Sequence, residues 1–324
     1  MTAQEPISAS QDELLEYRLS LRLGAVHARQ RLGLEQASEA LIFGQDHHSF
    51  HLENLASAPR FIRACLRLSG MLGRGQANSR RLSTVQHRFC LPRLPPAFEG
   101  FRLLHLTDLH VDMDEANLVA VIEQIKPLDY DLCVLTGDYR RHTWGAIDGA
   151  MAGMKRLREA IHGDAIAILG NHDSIRMVPG LEDMGYQLLL NEHLCLKRGG
   201  EQVYIAGVDD AHFYKAHNLH KAGSQIPPHA LSVLLSHTPE IWREAAHAGY
   251  DVFLCGHTHG GQICLPGGIP LTLDANCPRA LGRGYWQRQH MQGYTSPGSG
   301  TSVVNVRINC PPEVTIHTLS RHSA

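Results

Sequence analysis

Short, almost uninterrupted apolar runs recur through the C-terminal part of the chain, each ending in a polar cluster. They read FRLLHL (101–106), YDLCVL (130–135), AIAIL (165–169), LSVLL (231–235) and DVFLC (251–255), with VYIAGV (203–208) as a further run. Runs apolar on every residue predict strands buried on both faces of a sheet. Helical stretches between them predict an α/β organisation. Residues 11–43 place leucines among mixed charges without a proline, which predicts a helical segment, and GQDHHS (44–49) breaks it. Pro59 can open a second helix, and Gly73 and Gly75 can close it. LPRLPP (91–96) predicts a stiff extended connector. The expected boundary is near residue 98, with a helical, Arg-rich extension and linker over 1–97 and an α/β domain over 98–324. No internal repeat of fixed period is present.

Composition narrows the class. The chain has 324 residues, 43% of them hydrophobic, and a net charge of -2, as an ordinary globular protein would. No apolar run approaches the ~18–20 residues of a membrane-spanning helix, and the N-terminus has no secretory-signal pattern. The eight cysteines include no CxxC pair, so they are expected to be reduced, in a cytoplasmic setting. Charge is unevenly spread. Between Asn54 and Phe98 stand eight arginines and no acid, which leaves 22 Lys and Arg against 32 acids elsewhere. On a wheel of 3.6 residues per turn, Arg60, Arg63, Arg67 and Arg74 fall within about 60° of one another. Phe61, Ile62, Cys65, Leu66, Leu68 and Leu72 take the other faces. The body is acidic, and backbone binding to nucleic acid needs a basic groove, so no nucleic-acid partner is expected.

The 22 histidines are the compositional oddity. Asp108 and His110 follow the first strand, Asp138 the second, and Asn171, His172 and Asp173 the third. His237 follows the fourth, and His257 and His259 the fifth. Any one of these has a bland reading as a turn residue or helix cap. Jointly they place ligand-competent side chains at the carboxyl ends of five strands, where α/β sheets bind their ligands. Carboxylates, imidazoles and an amide oxygen without thiolates suit Mn, Fe or Zn. Seven protein ligands exceed one tetrahedral site. A carboxylate such as Asp138 can bridge two ions, which points to a dinuclear centre.

The order DLH, GD, GNHD, H, GHTH resembles the calcineurin-like metallophosphoesterases over about residues 99–320. The resemblance implies a two-sheet α/β/β/α sandwich, here with an N-terminal helical extension. It implies that Asp108, His110, Asp138 and His259 hold one divalent ion, and Asp138, Asn171, His237 and His257 a second. His172 is then the catalytic histidine, with Asp173 orienting it. GHTHGGQICLPGG, with SHTPE upstream and CPPE downstream, resembles a branch of bacterial membrane-associated phosphodiesterases. Some enzymes of that branch hydrolyse UDP-2,3-diacylglucosamine in lipid A synthesis. This chain departs from that pattern, carrying an Arg-striped helix where many relatives carry a spanning segment.

The expected activity is hydrolysis of a phosphodiester or pyrophosphate bond by metal-activated hydroxide, with His172 protonating the leaving oxygen. Arg140 and Arg141 could fork onto phosphate oxygens, against the plainer reading as solvated arginines. Asp209, Asp210 and His212 could reach substrate, against the plainer reading as a polar loop. A lipid-linked substrate would suit an enzyme held on the inner face of the cytoplasmic membrane through residues 59–74. The alternatives are a phosphodiesterase acting on nucleotides or other small soluble phosphodiesters, and a non-catalytic scaffold on the same fold.

Overall fold

The computed structural model describes residues 11–43 and 58–321. The polar start of the chain (1–10), the break expected at 44–49 and the last three residues of the expected α/β domain lie outside the described residues. Two six-stranded sheets make up the body. The first contains β1 (Ser83–Cys90), β2 (Arg102–Leu106), β3 (Leu132–Leu135), β4 (Ala165–Ala167), β5 (Gln187–Leu188) and β14 (Glu313–Ser320). Its order is β1-β14-β2-β3-β4-β5, parallel except where β14 meets β2.

The second sheet contains β6 (Glu192–Arg198), β7 (Glu201–Gly207), β8 (Ser232–Leu235), β9 (Val252–Cys255), β12 (Gly284–Arg288) and β13 (Met291–Thr295). Its order is β12-β13-β9-β8-β7-β6, with a parallel centre and antiparallel edges. A small hairpin, β10 (Cys264–Leu265) and β11 (Ile269–Pro270), stands apart.

The central strands are buried at every position, so apolar side chains leave both faces of each sheet. Between the sheets, Leu103, Val134 and Ile166 of the first meet Val203, Ile205, Val233, Leu235, Val252 and Leu254 of the second. Helices close the outer faces. On the first sheet lie α5 (Glu115–Ile125), α6 (Asp148–Ala160) and α7 (Val178–Asp183), through Leu118, Val121, Met154, Leu157 and Leu181. On the second lie α8 (Leu219–Gly223) and α9 (Trp242–His247), through Ala222, Ala245 and Ala246. This is the expected α/β/β/α sandwich.

The N-terminal region differs from expectation in three respects. The segment 11–43 is two helices, α1 (Gln11–Leu23) and α2 (Ala25–Phe43), because Gly24 adopts the left-handed region at φ 87°. They bury Leu19, Leu23 and Ala28 in the outer core of the first sheet. The second expected helix also divides, into α3 (Ala58–Leu68) and α4 (Leu72–Ser79), at Gly70 with φ 70°. Arg74 therefore leaves the stripe, which α3 limits to Arg60, Arg63 and Arg67. Finally, β1 is an edge strand of the first sheet, and Leu91 and Leu94 of the expected connector are buried between the sheets. The sandwich thus starts at Ser83, N-terminal to the boundary expected near residue 98.

Candidate metal centre

Every expected ligand stands just beyond a central strand. Asp108 and His110 follow β2, Asp138 follows β3, and Asn171 follows β4. His237 and the pair His257 and His259 come from the second sheet, after β8 and β9. Both sheets therefore contribute to one buried cluster. Asp108, His110 and His259 converge within 4.8 Å, as do Asp138, His237 and His257. Asp138 joins the two groups. Its Oδ2 stands 3.2 Å from His237 Nε2 and 3.9 Å from Nε2 of both His110 and His172. Asn171 Oδ1 adds a contact of 2.9 Å to His237 Nε2.

The backbone accepts strain to hold this arrangement. Asp108, His110, Asp138, His257 and His259 all have φ between 41° and 70°. That region is uncommon for residues with a Cβ, and at functional sites such geometry is held in place by the surroundings. Glycines admit the carboxylates. A Cβ at Gly170 would collide with Asp138, and one at Gly256 with Asp108 and Thr107.

The donor chemistry fits divalent cations. His110 Nδ1 donates to the Arg140 carbonyl at 2.8 Å, and His237 Nδ1 donates to the Thr136 carbonyl at 2.8 Å. Each bond turns Nε2 toward the cluster, as a backbone carbonyl does for a histidine that binds a metal. His110 Nε2 then meets His259 Nε2 at 3.3 Å, and His237 Nε2 meets His257 Nδ1 at 3.2 Å. These nitrogens, with the Asp108 and Asp138 carboxylates, make the nitrogen and oxygen donor set that divalent ions take. The field of the pocket agrees. Burial opposes a charge on His237, yet Asp138 and Asp108 carry it up to about 10. Burial, helped by neighbouring cationic groups, dominates at His110, which falls to about 4, and at His257 and His259, which fall well below the usual imidazole range. Burial, reinforced by Asp138, lifts Asp108 to about 6.

The remaining expected residues divide. His172 is at the cluster, its ring edge-on to His110 at 5.1 Å. The Asp173 carboxylate accepts backbone N–H groups from Asp138 (2.7 Å), Tyr139 (2.8 Å) and Gly170 (2.9 Å), so it fixes the loop that carries His172. Arg140 is buried, and its guanidinium donates to the carbonyls of His172, Thr143 and Gly145. The expected phosphate fork at Arg140 is instead a brace between loops. Arg141 is exposed and donates from Nε to His142 at 2.9 Å.

Asp210 accepts N–H groups from His212, Phe213 and Tyr214 and so shapes a turn. Asp209 is fully buried and ion-paired to Arg31 and His27. His212 lies 4.2 Å ring to ring from His257, and its Nδ1 meets Glu240 Oε1 at 3.1 Å.

Two buried arginines escape sequence reasoning. Arg307 donates to the carbonyls of His259 (3.0 Å), Pro297 (2.7 Å) and Gly300 (2.6 Å). Arg31, on α2, is fully buried. Their only sequence signals are an isolated charge in NVRIN and an i,i+4 pairing of Arg31 with Glu35.

Two stacked sheets thus bring histidine and carboxylate clusters together at their shared strand ends, as a centre for divalent metals requires. The Calcineurin-like phosphoesterase family matches residues 101–261. The chain is 30% identical over 235 residues to the uncharacterized metallophosphoesterase YkoQ of Bacillus subtilis (strain 168), covering 69% of this chain and 85% of that protein. It belongs to the calcineurin-like metallophosphoesterases, whose members use divalent metals. A Danio rerio transmembrane protein with metallophosphoesterase domain is 27% identical over 313 residues, covering 91% of this chain and 67% of that protein. Phosphodiesterase YaeI of Escherichia coli (strain K12) is 28% identical over 236 residues, covering 67% of this chain and 81% of that protein.

Proposed function

We propose that this chain hydrolyses a phosphodiester or pyrophosphate bond. In this reading Asp108, His110, Asp138 and His259 surround one divalent ion, manganese for choice, and Asp138, Asn171, His237 and His257 surround another. The observation that carries the reading is the position of Asp138 Oδ2, between His237 at 3.2 Å and His110 at 3.9 Å, where one carboxylate serves both groups. When bound, two such cations supply the charge that acidifies a water and neutralises phosphoryl oxygens.

The chain's own residues do the rest. The Arg140 and Thr136 carbonyls hold the His110 and His237 rings by their Nδ1 protons, which aims both Nε2 atoms inward. His172 supplies the proton to the departing oxygen. Asp138→Asn removes the charge common to both groups, so elemental analysis should find at most one ion per chain and turnover should collapse. Two ions with normal turnover would overturn the bridging role.

A lipid-linked pyrophosphate, of the UDP-2,3-diacylglucosamine kind, is the substrate class that the surface near α3 favours. Helix α3 seats Leu66 against Val304, Val306 and Ile308, yet Phe61 is 71% exposed and Leu68 89%. Arg60, Arg63 and Arg67 stand on one side of the same helix, in an acid-free stretch. Ile263, in the same cluster, leads into the β10–β11 hairpin, which exposes Leu265 and Ile269. Exposed apolar side chains beside a stripe of guanidinium groups suit the headgroup plane of an anionic membrane, at about 1 kcal/mol per arginine. Among the described residues no helix is long and apolar enough to cross a membrane. Co-sedimentation should show binding to anionic but not neutral vesicles. High salt, or Gln in place of Arg60, Arg63 and Arg67, should abolish it. Absence of binding at low salt would leave a small soluble phosphodiester as the substrate, and a turnover comparison of the two substrates checks the choice directly.

A further inference from the structure

The loop after β4 carries Asn171 and His172, and it is gripped from outside the matched segment 101–261 by helix α2. Arg31 Nη2 donates to the Asp173 carbonyl at 3.0 Å. Glu35, one turn on, accepts from Ser174 Oγ at 2.6 Å and from the Ile175 N–H at 2.7 Å. The two side chains are themselves joined, Arg31 Nη1 to Glu35 Oε1 at 2.6 Å. Beneath the loop, Arg31 Nε meets Asp209 Oδ1 at 3.3 Å, and its guanidinium carbon lies 3.4 Å from the centre of the Tyr214 ring. Arg31, Asp173 and Asp209 are fully buried, and Glu35 nearly so.

The opposite side of the loop is held as tightly. Arg140 Nε donates to the His172 carbonyl, and the Asp173 carboxylate receives backbone N–H groups around Asp138. The His172 and Asp173 carbonyls and the Ile175 N–H are thus held, and α2 provides the grip at Asp173, Ser174 and Ile175. Core packing alone would need no buried guanidinium, since an apolar side chain of equal volume fills such space at lower desolvation cost. What a guanidinium adds is direction: a planar fork sets where a carbonyl stands.

We infer that Arg31 and Glu35 are positioning residues of the active site, acting through the Asp173–Ile175 backbone to set the His172 imidazole against the histidine and carboxylate cluster. The N-terminal helical pair is on this view a working part of the enzyme, and the inference rests on the role given to His172 above. A displacement of about 1 Å in a reacting group can cost on the order of 10²-fold in rate.

The test uses the full chain with manganese and two diester substrates, one leaving as nitrophenolate and one as an alkoxide. Arg31→Met and Glu35→Gln are each made alone and in the His172→Ala background. Expected is a fall in kcat of about tenfold or more with KM nearly unchanged, greater for the alkoxide. In the His172→Ala background the same changes should cost almost nothing further, because the group they position is gone. Equal losses for both leaving groups, or losses that multiply with that of His172→Ala, would assign Arg31 and Glu35 to general stability and overturn the inference. If Arg31→Met does not fold, the Glu35→Gln cycle decides in the same terms. Normal alkoxide turnover in His172→Ala itself would instead remove the proton-donor role on which the inference stands.

Discussion

The His172 imidazole stands 3.9 Å from the Asp138 carboxylate, while its own backbone N–H donates to Asp138 Oδ1 at 2.9 Å. One carboxylate therefore registers both the cluster and the histidine beside it. His172 is close enough to feel the cluster, yet it belongs to neither convergent group of ligands. Its removal should then spare the cations and cost the proton. His172→Ala should keep the metal content of the parent while kcat falls by ~10²–10⁴-fold for an alkoxide leaving group. Nitrophenolate leaves without help, so its loss should be much smaller. Elemental analysis and the ratio of the two rates check the assignment, and loss of a cation would move His172 into the ligand set.

At the scale of elements, α2 differs from an ordinary covering helix because it brings charge rather than only leucines to the core. Arg31 and Asp209 are both fully buried and face each other, with His27 Nε2 a further 2.8 Å from Asp209. Breaking such a pair strands a charge, so Arg31→Met should lower unfolding free energy by about 3–5 kcal/mol. The triple change Arg31→Met, Glu35→Gln and Asp209→Asn strands none and should recover most of that loss in urea titrations. No recovery would mean that the Tyr214 stacking, not the charge pair, anchors the helix.

The pair also has an acid limb. Burial works against the Asp209 carboxylate, but Arg31 and His27 hold it down at about 2, below its usual 3.8. A depressed carboxylate contributes stability above its unfolded value and loses it as pH falls. The contribution, about 2 kcal/mol, should therefore disappear between about pH 4 and pH 2 and be missing from Asp209→Asn.

For the whole molecule, the cluster is a seam. Asp108, His110, Asp138 and Asn171 come from the first sheet, and His237, His257 and His259 from the second. Cations held there tie the two sheets together at their strand ends. A ligand that binds only the folded state stabilises it by about 4 kcal/mol at a thousand times its dissociation constant. Chelation should therefore abolish turnover and lower Tm by several degrees, and added manganese should restore both. In Asp138→Asn the Tm response to chelator should shrink, because fewer ions are bound to begin with. A Tm indifferent to chelator in the parent chain would show that the seam is held by apolar packing alone.

The apolar runs at 101–106, 130–135, 165–169, 231–235 and 251–255 announced the central strands, because strands buried on both faces cannot hide their composition. The ligand types at their ends were equally legible, since few side chains can bind a hard cation and all were delivered at one relative position. Local pattern also told of helices before residue 80, though not where they bend: Gly24 and Gly70 turn left-handed so that the helices on either side of each can pack into one shared cluster.

What sequence could not tell is the use of each charge. Arg140 and Arg141 are neighbours with one composition, yet one is buried among carbonyls and the other faces solvent. Arg31 and Asp209 lie 178 residues apart and meet at 3.3 Å. The β1 strand, polar at alternate positions, pairs with β14 near the far end of the chain. Such contacts carry no local periodicity. They follow from which surfaces the sheets bring together, and that was decided only when the chain closed on itself.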